Sequence, residues 1–443
     1  MFDESVRVEL EELASYFPTD KPLYAVGGCV RDYLRGKECY DIDLSGGVKP
    51  DELVEILSKT HFGVVSASPR LGTVIIKGKN TYEYTTFRID SYPVGSGVHT
   101  PTSVQFTDDL TMDAKRRDFK CNAIYYDVKD RRIIDPLGGA EDIRQSILST
   151  TISPDVVLAQ DGLRILRLVR FVSKLGYEIE KSTYDSAKRL VGRLNEISVE
   201  RIREELNKIL EGEHCYKALC LMRDMGILAI ILPQLAQNDG VEQNPQYHKY
   251  DVLEHTFKVV EACPPNVRLA GLFHDIAKGK CLETDGNMYF HNIEGAQMTK
   301  DIMTGLKYPT RQIEKVSRMV ELHMFDVNNN TKESKCRRFI ANNLDIFEDM
   351  LALFEADSIG TGYHDGSRTA DKLRCIYAKM MQEKVPMSIK ELAIDGNDLK
   401  SIGYDGVAVG QTLKDLWDLA LRGCVVNQND ALLELAQRRI KKV

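Results

Sequence analysis

The sequence predicts an α+β protein with a strand-rich head over about the first 145 residues and an all-helical remainder. Short runs of β-branched and aromatic residues, bounded by glycine and proline, recur as far as residue 135, and this is the pattern of strands. After Pro154 the apolar residues recur three and four positions apart, which is the spacing of amphipathic helices. A chain of 443 residues is too long for one hydrophobic core, so we expect several domains.

The predicted elements are short in the head and longer beyond it. The predicted strands are Leu23–Val26, Asp41–Leu44, Val64–Val65, Thr73–Ile76, Tyr82–Ile89, Ile124–Tyr126 and Ile133–Asp135. A helix is predicted to begin at about Val30, directly after two glycines. The predicted helices that follow the head are Leu163–Leu175, Tyr184–Leu194, Val199–Leu210 and Ala218–Met225.

The composition excludes several broad classes of protein. A net charge of −7, from 59 Lys and Arg against 66 Asp and Glu, argues against nucleic-acid binding through bulk positive charge. Residues 161–210 carry 11 Lys and Arg against 8 Asp and Glu, which leaves room for a local basic groove. The 10 cysteines include no CxxC pair, so neither a zinc ribbon nor a disulfide framework is expected. No segment suits a signal peptide or a membrane span, and we expect a cytoplasmic protein without a membrane partner.

Two glycines and two aspartates form the first candidate site. Gly27 and Gly28 lie between a strand and a helix, where backbone amides can hold an anion such as a triphosphate. Asp41 and Asp43 are two apart on a predicted strand, and two carboxylates on one face repel unless a cation lies between them. Oxygen ligands beside phosphate suit Mg²⁺, so the pattern indicates metal-assisted nucleotidyl transfer. The alternative is a pair of surface aspartates that flank a strand by chance.

A pair of arginines follows later in the head. Arg116 and Arg117 precede Asp118 and Asn122, just before the strand predicted at Ile124. Guanidinium groups suit phosphate and sugar oxygens, which favours a nucleotide-binding role. An exposed basic turn would show the same dipeptide, so the residues alone leave both interpretations open.

The motifs together resemble those of the class II tRNA nucleotidyltransferases, which are the CCA-adding enzymes, and of the bacterial poly(A) polymerases that share their head. The sequence GGCVRDYLRGKECYDIDL at residues 27–44 resembles the first motif of that family, and RRDFKCNAIYYD at residues 116–127 resembles the second. The series continues in the expected order with Asp135–Gly139, with Asp161-x-x-Arg164-x-x-Arg167-x-x-Arg170, and with the helix Ile197–Leu210.

The resemblance implies a polymerase-beta-like head and assigns roles to its residues. Asp41 and Asp43 would hold two Mg²⁺ ions, and Gly28, Arg31 and Arg117 would contact the incoming nucleotide. The ions would activate the 3′-hydroxyl of tRNA and neutralise the departing pyrophosphate.

Base choice has a physical interpretation in Asp161-x-x-Arg164-x-x-Arg167-x-x-Arg170, which is called the third motif below. Asp161 and Arg164 are three apart on a predicted helix, so their side chains would be neighbours. Adenine and cytosine each present an amino donor beside a ring-nitrogen acceptor, so an accepting carboxylate and a donating guanidinium would admit A or C. Arg167 and Arg170 continue the same face of the helix. The alternative is an ion pair at a helix start, and the resemblance favours base reading.

Three features depart from the family pattern. Gln160 stands where glutamate usually precedes the aspartate, which removes a negative charge beside the base-reading pair. Gly162 stands where proline is usual, so we expect a less rigid helix start. The segment Tyr92–Pro101 follows the flexible loop of the family only loosely and lacks its arginine, which bears on the switch from C to A.

A second group of residues supplies the ligand types of a divalent-metal site. His255, the dipeptide His274–Asp275, and Asp357 fall on separate predicted helices. The segment FHDIAKG at residues 273–279 resembles the HD phosphohydrolase superfamily, and His291 and His323 match positions of further histidines in related chains. The resemblance implies phosphodiesterase or phosphatase activity through a metal-bound hydroxide. The alternative is an inert scaffold in which these side chains satisfy one another by hydrogen bonds.

Five segments follow from these patterns. They are a nucleotidyltransferase head at residues 1–145, a helical neck with the base-reading motif at 146–212, a helical body and linker at 213–245, an HD domain at 246–365, and a tRNA-binding helical tail at 366–443. The tail could equally be a plain helical cap, which the sequence does not distinguish.

The expected function is the addition of CMP and AMP, from CTP and ATP, to the 3′ end of tRNA without a nucleic-acid template. We expect Mg²⁺ as the cofactor of the head and a second divalent metal at the HD site. The alternatives are CC-adding, A-adding or poly(A) polymerase activity on the same head, or an HD-type metal phosphohydrolase as the main activity.

Overall fold

The computed structural model describes residues 2–39, 41–91 and 103–440. The chain divides into two compact units, Met1–Pro233 and Gln234–Val443. Among the described residues, no helix has the length and apolar character needed to cross a membrane.

The first unit contains all the strands of the described chain. They are β1 Tyr24–Val26, β2 Asp43–Gly46, β3 Gly63–Ser68, β4 Thr73–Lys77, β5 Thr81–Thr86, β6 Arg88–Ser91, β7 Ser103–Phe106, β8 Tyr125–Asp127, β9 Arg132–Ile134, β10 Ile147–Leu148 and β11 Glu178–Ile179. Seven of them form one sheet in the order β3-β4-β5-β2-β1-β8-β9, in which only the β2–β5 pair is parallel. Strands β6 and β7 form a separate antiparallel pair, and β10 and β11 a parallel one.

The helices of the first unit surround this sheet and continue beyond it. They are α1 Glu4–Ser15, α2 Gly28–Leu34, α3 Pro50–Leu57, α4 Leu110–Arg116, α5 Gly139–Gln145, α6 Pro154–Gln160, α7 Leu163–Leu175, α8 Lys181–Arg189, α9 Val199–Glu211, α10 Cys215–Asp224 and α11 Ile227–Ile231, with 3₁₀ turns at Lys120–Asn122 and Val191–Glu196. The short helix α12, Pro233–Ala236, lies at the boundary of the two units.

The alternation of side chains explains the central strands. Val74 and Ile76 on β4, and Tyr82 and Tyr84 on β5, are buried, whereas the residues between them are more exposed. This period of two is what a sheet with one buried face requires. The strand-rich head and the helical remainder confirm the predicted α+β class.

Several predicted boundaries are wrong by a few residues. The segment predicted as one strand, Tyr82–Ile89, is two strands in different sheets, because Phe87 turns into the core and its backbone N–H bonds to Gly46 O at 2.7 Å. The strand predicted at Asp41–Leu44 is Asp43–Gly46. The helix predicted to begin at Val30 begins at Gly28, and the helix predicted at Tyr184–Leu194 ends at Arg189 before a 3₁₀ turn.

Helices α7 and α9 pack closely in the neck. The Ser173 hydroxyl donates to Ile209 O at 2.6 Å. A methyl group at Gly212 would lie 2.2 Å from that hydroxyl oxygen and 2.5 Å from Ser173 O, so only glycine fits there. This contact fixes the spacing of the two helices that carry the third motif and its partners.

The second unit is helical throughout its described residues. Its helices are α13 Val252–Ala262, α14 Arg268–Phe273, α15 Lys278–Asp285, α16 His291–Gly305, α17 Thr310–Leu322, α18 Glu333–Asn342, α19 Phe347–Gly360, α20 Arg368–Gln382, α21 Gly396–Ser401, α22 Val407–Leu421 and α23 Asn429–Ile440, with 3₁₀ turns at Leu344–Ile346 and Ile389–Glu391. Leu399, Leu416 and Leu432 belong to a separate apolar core near its C-terminal end.

Candidate functional sites

The first unit contains a cavity of about 800 Å³. All the residues that the sequence assigns to nucleotide binding and catalysis contribute to its wall. They are Gly27, Gly28, Arg31, Asp41, Asp43, Arg116, Arg117, Asp118, Asn122, Asp161, Arg164, Arg167 and Arg170. Residues from sheet, turn and neck helices, up to 143 positions apart in sequence, therefore face one space.

The glycine turn adopts a conformation that excludes other residues. Gly27 has φ 83° and ψ −133°, a region that side chains with a Cβ do not reach without strain. A Cβ built there would lie 3.5 Å from an Asp43 carboxylate oxygen and 3.9 Å from Arg117 Nη1. The turn thus brings bare backbone close to both a candidate metal ligand and a cation.

The two aspartates of the first motif occupy different backbone settings. Asp43 begins β2 and pairs in register with Val26 of β1, whereas Asp41 precedes the strand. Loss of hydration in the cavity wall, reinforced by the charge of Asp41, raises the pKa of Asp43 to about 6, although Arg117 opposes the shift. Two carboxylates that disfavour simultaneous ionisation, placed beside bare backbone, fit a hard divalent cation.

Arg31 has protein partners at all three guanidinium nitrogens. Its Nε and Nη2 each donate to the Asp32 carboxylate at 2.9 Å, and its Nη1 donates to Asn122 Oδ1 at 2.7 Å. The side chain is 2% exposed and lies over the ring of Phe171. Arg31 therefore joins α2 to the Lys120–Asn122 turn at the edge of the cavity.

Asp118 is held by an arginine of the neck. Arg167 donates to Asp118 Oδ2 from Nε at 2.8 Å and from Nη2 at 2.5 Å, and the carboxylate also accepts from Phe119 N at 2.8 Å. Burial by itself would raise the pKa of Asp118, but Arg167, aided by the charge of Arg164, lowers it to about 2. Asp118 therefore stays ionised and ties the second motif to helix α7.

Asp161 and Arg164 differ from the predicted arrangement. Asp161 is extended and lies between α6 and α7 instead of on a helix with Arg164, and its Oδ1 accepts from Leu163 N at 3.0 Å. Its Oδ2 pairs with Arg201 of α9 at 3.1 Å. The prediction that the two side chains share a helix face is wrong, although both line the cavity.

The departures at Gln160 and Gly162 have local explanations. Gln160 Oε1 accepts from Arg164 Nη1 at 2.9 Å, and Val157 O and Arg116 O accept from the same guanidinium, each at 2.9 Å. A Cβ at Gly162 would lie 2.9 Å from Arg193 O, so a larger residue would collide with the backbone of the 3₁₀ turn. The segment Tyr92–Pro101 lies outside the described residues.

Some residues of the wall escaped the sequence interpretation. Arg201, Lys174 and Lys208 add positive charge on the neck side. Lys174 lies four positions after Arg170 on α7, and this helical spacing could have indicated it. Asp113 lies three and four positions before the arginine pair and contacts both, yet its burial could not be read from the sequence.

The second unit contains two adjacent groups of metal-ligand side chains. Each group has its ligand atoms within 4.8 Å of one another. The first consists of His255 of α13, His274 after α14 and Asp357 of α19, and the second of Asp275, His291 at the start of α16 and His323 after α17. All four residues predicted for the HD site belong to these two groups. The second group is completed by His291 and His323, which the sequence matched only to positions in related chains.

Asp275 joins the two groups through its two carboxylate oxygens. Its Oδ2 lies 3.1 Å from His274 Nε2 and 3.4 Å from His255 Nε2, and its Oδ1 lies 3.1 Å from His291 Nε2. Although burial disfavours a charged imidazole, Asp275 and then Asp357 raise the pKa of His274 to about 10. The cluster therefore attracts positive charge.

The imidazoles are oriented as metal ligands are. His274, His291 and His323 each have Nδ1 within 2.6 to 2.8 Å of a backbone carbonyl oxygen, so Nδ1 donates and Nε2 faces the cluster. The Nε2 atoms of His255 and His274 are 3.2 Å apart, and those of His291 and His323 are 3.1 Å apart. Two ring nitrogens at that distance need a proton or a cation between them, so the residues fit a pair of divalent metal ions, which would replace the protons.

Family models match three segments of the chain. The Poly A polymerase head domain matches residues 23–149, the Probable RNA and SrmB- binding site of polymerase A matches residues 176–238, and the HD domain matches residues 247–350.

Curated relatives and solved structures agree with these matches. A CCA-adding enzyme of Geobacillus sp. strain WCH70 is 34% identical over 232 residues, 52% of this chain and 55% of that enzyme. An A-adding tRNA nucleotidyltransferase of Deinococcus radiodurans is 29% identical over 353 residues, 75% of each chain. The crystal structure of the Bacillus stearothermophilus CCA-adding enzyme in complex with CTP has a TM-score of 0.73 at 25% identity and covers 98% of each chain. The sequence match to the first of these spans about half of its length.

The sheet-containing first unit thus matches a Poly A polymerase head domain, and the second unit contains an HD domain. More narrowly, the chain is similar to CCA-adding enzymes and to an A-adding tRNA nucleotidyltransferase. The resemblance inferred from the motifs is thereby confirmed.

Proposed function

We propose that the first unit adds CMP and AMP, from CTP and ATP, to the 3′ end of tRNA without a nucleic-acid template. The observation that carries this proposal is the single cavity that contains the aspartate pair, the arginine pair and the Asp161 region together. The relatives named as CCA-adding enzymes support it. The A-adding relative from Deinococcus radiodurans keeps addition of A alone as the main alternative.

The reaction joins the tRNA 3′-oxygen to the α-phosphorus of the nucleotide and breaks the bond from that phosphorus to the oxygen that bridges it to the β-phosphate. Asp41 and Asp43 would hold Mg²⁺, which supplies activation of the hydroxyl and charge neutralisation at the phosphates. Arg116 and Arg117 face the same cavity and suit the triphosphate oxygens. The backbone at Gly27 and Gly28 allows close approach of these phosphates because no Cβ stands there.

Base choice would come from the neck side of the cavity. Asp161 is an acceptor fixed by Arg201, and Arg164 is a donor fixed by Gln160 and two backbone carbonyls. A fixed acceptor and a fixed donor suit the edges of cytosine and adenine. Because Gln160 is neutral, it positions Arg164 without neutralising its charge.

The direct test is sequencing of tRNA 3′ ends after incubation with Mg²⁺ and each nucleotide, singly and combined. With tRNA that ends at the discriminator base, CTP alone should add two residues, and CTP with ATP should add CCA and stop. Addition only to tRNA that already ends in CC would establish an A-adding enzyme. Arrest at CC with all nucleotides present would establish a CC-adding enzyme, and long A runs a poly(A) polymerase. The Asp43→Asn variant serves as the inactive control.

We also propose that the HD cluster hydrolyses phosphate esters with bound divalent metal. The observation that favours this second function is the pair of ligand groups joined by Asp275. Two metal ions held there would supply a hydroxide for attack on phosphorus.

We propose as well that the domain boundaries lie at residues 145, 212, 245 and 365. The tail would bind tRNA, and the protein would be cytoplasmic.

Metal content and hydrolysis test the second function independently of tRNA. The protein should bind nickel, cobalt or manganese and hydrolyse a 2′,3′-cyclic nucleotide, and His274→Ala should lose both properties. His364→Ala, an exposed histidine of the same unit, is the matched control and should lose neither. Hydrolysis that survives His274→Ala would exclude the cluster as its site.

A further inference from the structure

Asp113 is a fully buried carboxylate that no motif assigns and that contacts both arginines of the second motif. It lies on α4 and is 0% exposed. Arg116 Nε donates to its Oδ1 at 2.7 Å, and Arg117 Nη2 donates to its Oδ2 at 3.3 Å. One carboxylate thus bridges two adjacent cations that would otherwise repel each other.

Tyr125 and the backbone N–H of Arg88, which donates to Asp113 Oδ1 at 3.3 Å, also contact Asp113. The Tyr125 hydroxyl donates to Asp113 Oδ2 at 2.6 Å, and Arg117 Nε donates to the same hydroxyl oxygen at 3.2 Å. Although burial would raise the pKa of Asp113, Arg117 and then Arg116 lower it, so the group stays ionised. The carboxylate therefore has charged or hydrogen-bonded partners on three sides.

The two ends of the Arg117 guanidinium lie in different surroundings. Nε and Nη2 are held by Asp113 and Tyr125. Nη1 lies on the other side, 3.9 Å from the position that a Cβ on Gly27 would take, beside the Asp43 carboxylate. The held end fixes the direction in which the other end faces the glycine turn.

We propose that Asp113 is a positioning residue that orients Arg116 and Arg117 toward the phosphates of the incoming nucleotide. The proposal rests on the proposed function of the cavity for the identity of the ligand. Asp113 touches no substrate in this account, and it acts by fixing two guanidinium groups before the triphosphate arrives. A preoriented pair loses less conformational freedom on binding than two mobile side chains would.

Asp113→Asn keeps the shape of the side chain and removes its charge. Because charged hydrogen bonds contribute about 1.5–3 kcal/mol, the KM for CTP and for ATP should rise about 10- to 100-fold. The KM for tRNA should stay within about twofold, since the tRNA body does not depend on these two arginines. A purely structural role would lower the active fraction and leave both KM values unchanged.

Calorimetric binding of inorganic tripolyphosphate with Mg²⁺ separates this proposal from the proposed function. The wild type should bind the anion, and Asp113→Asn should bind it at least about tenfold more weakly. Asp127→Asn is the matched control, because Asp127 is also buried in the head sheet, but its carboxylate accepts from Lys129 N and Asp130 N and pairs with Arg132, which does not line the cavity. If tripolyphosphate affinity depends on Asp113 in a protein that adds no nucleotide, the proposed function fails and the positioning role stands.

Tyr125→Phe provides a second variant in case Asp113→Asn does not fold. It removes one hydroxyl that contacts both Asp113 and Arg117, so a weaker change in the same direction is expected, about threefold in the KM for nucleotide. Unchanged nucleotide KM and unchanged tripolyphosphate affinity in a folded Asp113→Asn protein, or in Tyr125→Phe if the former does not fold, would overturn the proposal.

Discussion

The sequence predicts that Asp118 and Asp161 bind the nucleotide. In the structure, the carboxylate of each is paired with an arginine of the neck. Asp118 bonds to Arg167 of α7, and Asp161 to Arg201 of α9. Both carboxylates still face the cavity. Each of these two carboxylates therefore has a predicted role in nucleotide binding and also a structural role as the partner of an arginine.

The Asp118 ion pair should make stability depend on pH in a defined direction. The folded pKa of about 2 lies below the ordinary value of 3.8, so the pair stabilises the fold fully above about pH 4. That stabilisation should be lost as the pH falls from about 4 to 2. Thermal unfolding of the wild type and of Asp118→Asn should therefore differ at pH 6 and converge toward pH 2. A difference that stays constant over this range would show that the ion pair is not its source.

Helices α7 and α9 of the neck were predictable from the sequence because their apolar spacing is regular. Helix α7 has the predicted bounds, Leu163–Leu175. The extended conformation of Asp161 was not predictable, because its carboxylate bonds to Leu163 N and to an arginine 40 positions away. The division between β5 and β6 depends likewise on Phe87 turning into the core, which is a tertiary preference.

Close packing of α7 on α9 gives a prediction for these elements. Gly212→Ala would place a methyl group 2.5 Å from Ser173 O, and such overpacking costs about 1–3 kcal/mol. Amide hydrogen exchange of peptides from α7 and α9 should therefore become faster. Gly192→Ala is the matched control, since a methyl group there would meet nothing within 4 Å. Equal exchange in the two variants would contradict the packing described for the neck.

The whole molecule carries two chemically distinct candidate sites on two compact units. Ligand residues of the second site were predictable from the HD dipeptide, but their arrangement as two groups sharing Asp275 required the fold. The net charge of −7 does not describe the cavity, which concentrates arginine and lysine while the excess of acid lies elsewhere.

If the two sites act independently, a variant at either site should lose only the activity of that site. Asp43→Asn should abolish nucleotide addition and leave hydrolysis of a cyclic nucleotide intact, because it removes a metal ligand of the head only. His274→Ala should abolish hydrolysis and leave addition within about twofold. Both activities are measured on one preparation of each full-length variant. Loss of both activities in either variant, with the fold intact by circular dichroism, would refute the assignment of separate sites.

The central claim is that side chains of one cavity, and no nucleic-acid template, select the base. The measurement that tests it most directly is sequencing of tRNA 3′ ends after incubation with all four nucleoside triphosphates, for the wild type and for Asp161→Asn. The wild type should produce only CCA. Asp161→Asn replaces an acceptor with a group that can also donate, so GMP and UMP should enter at a fraction of at least about one tenth. Incorporation of G or U by the wild type, or unchanged selectivity in an active Asp161→Asn protein, would contradict the account.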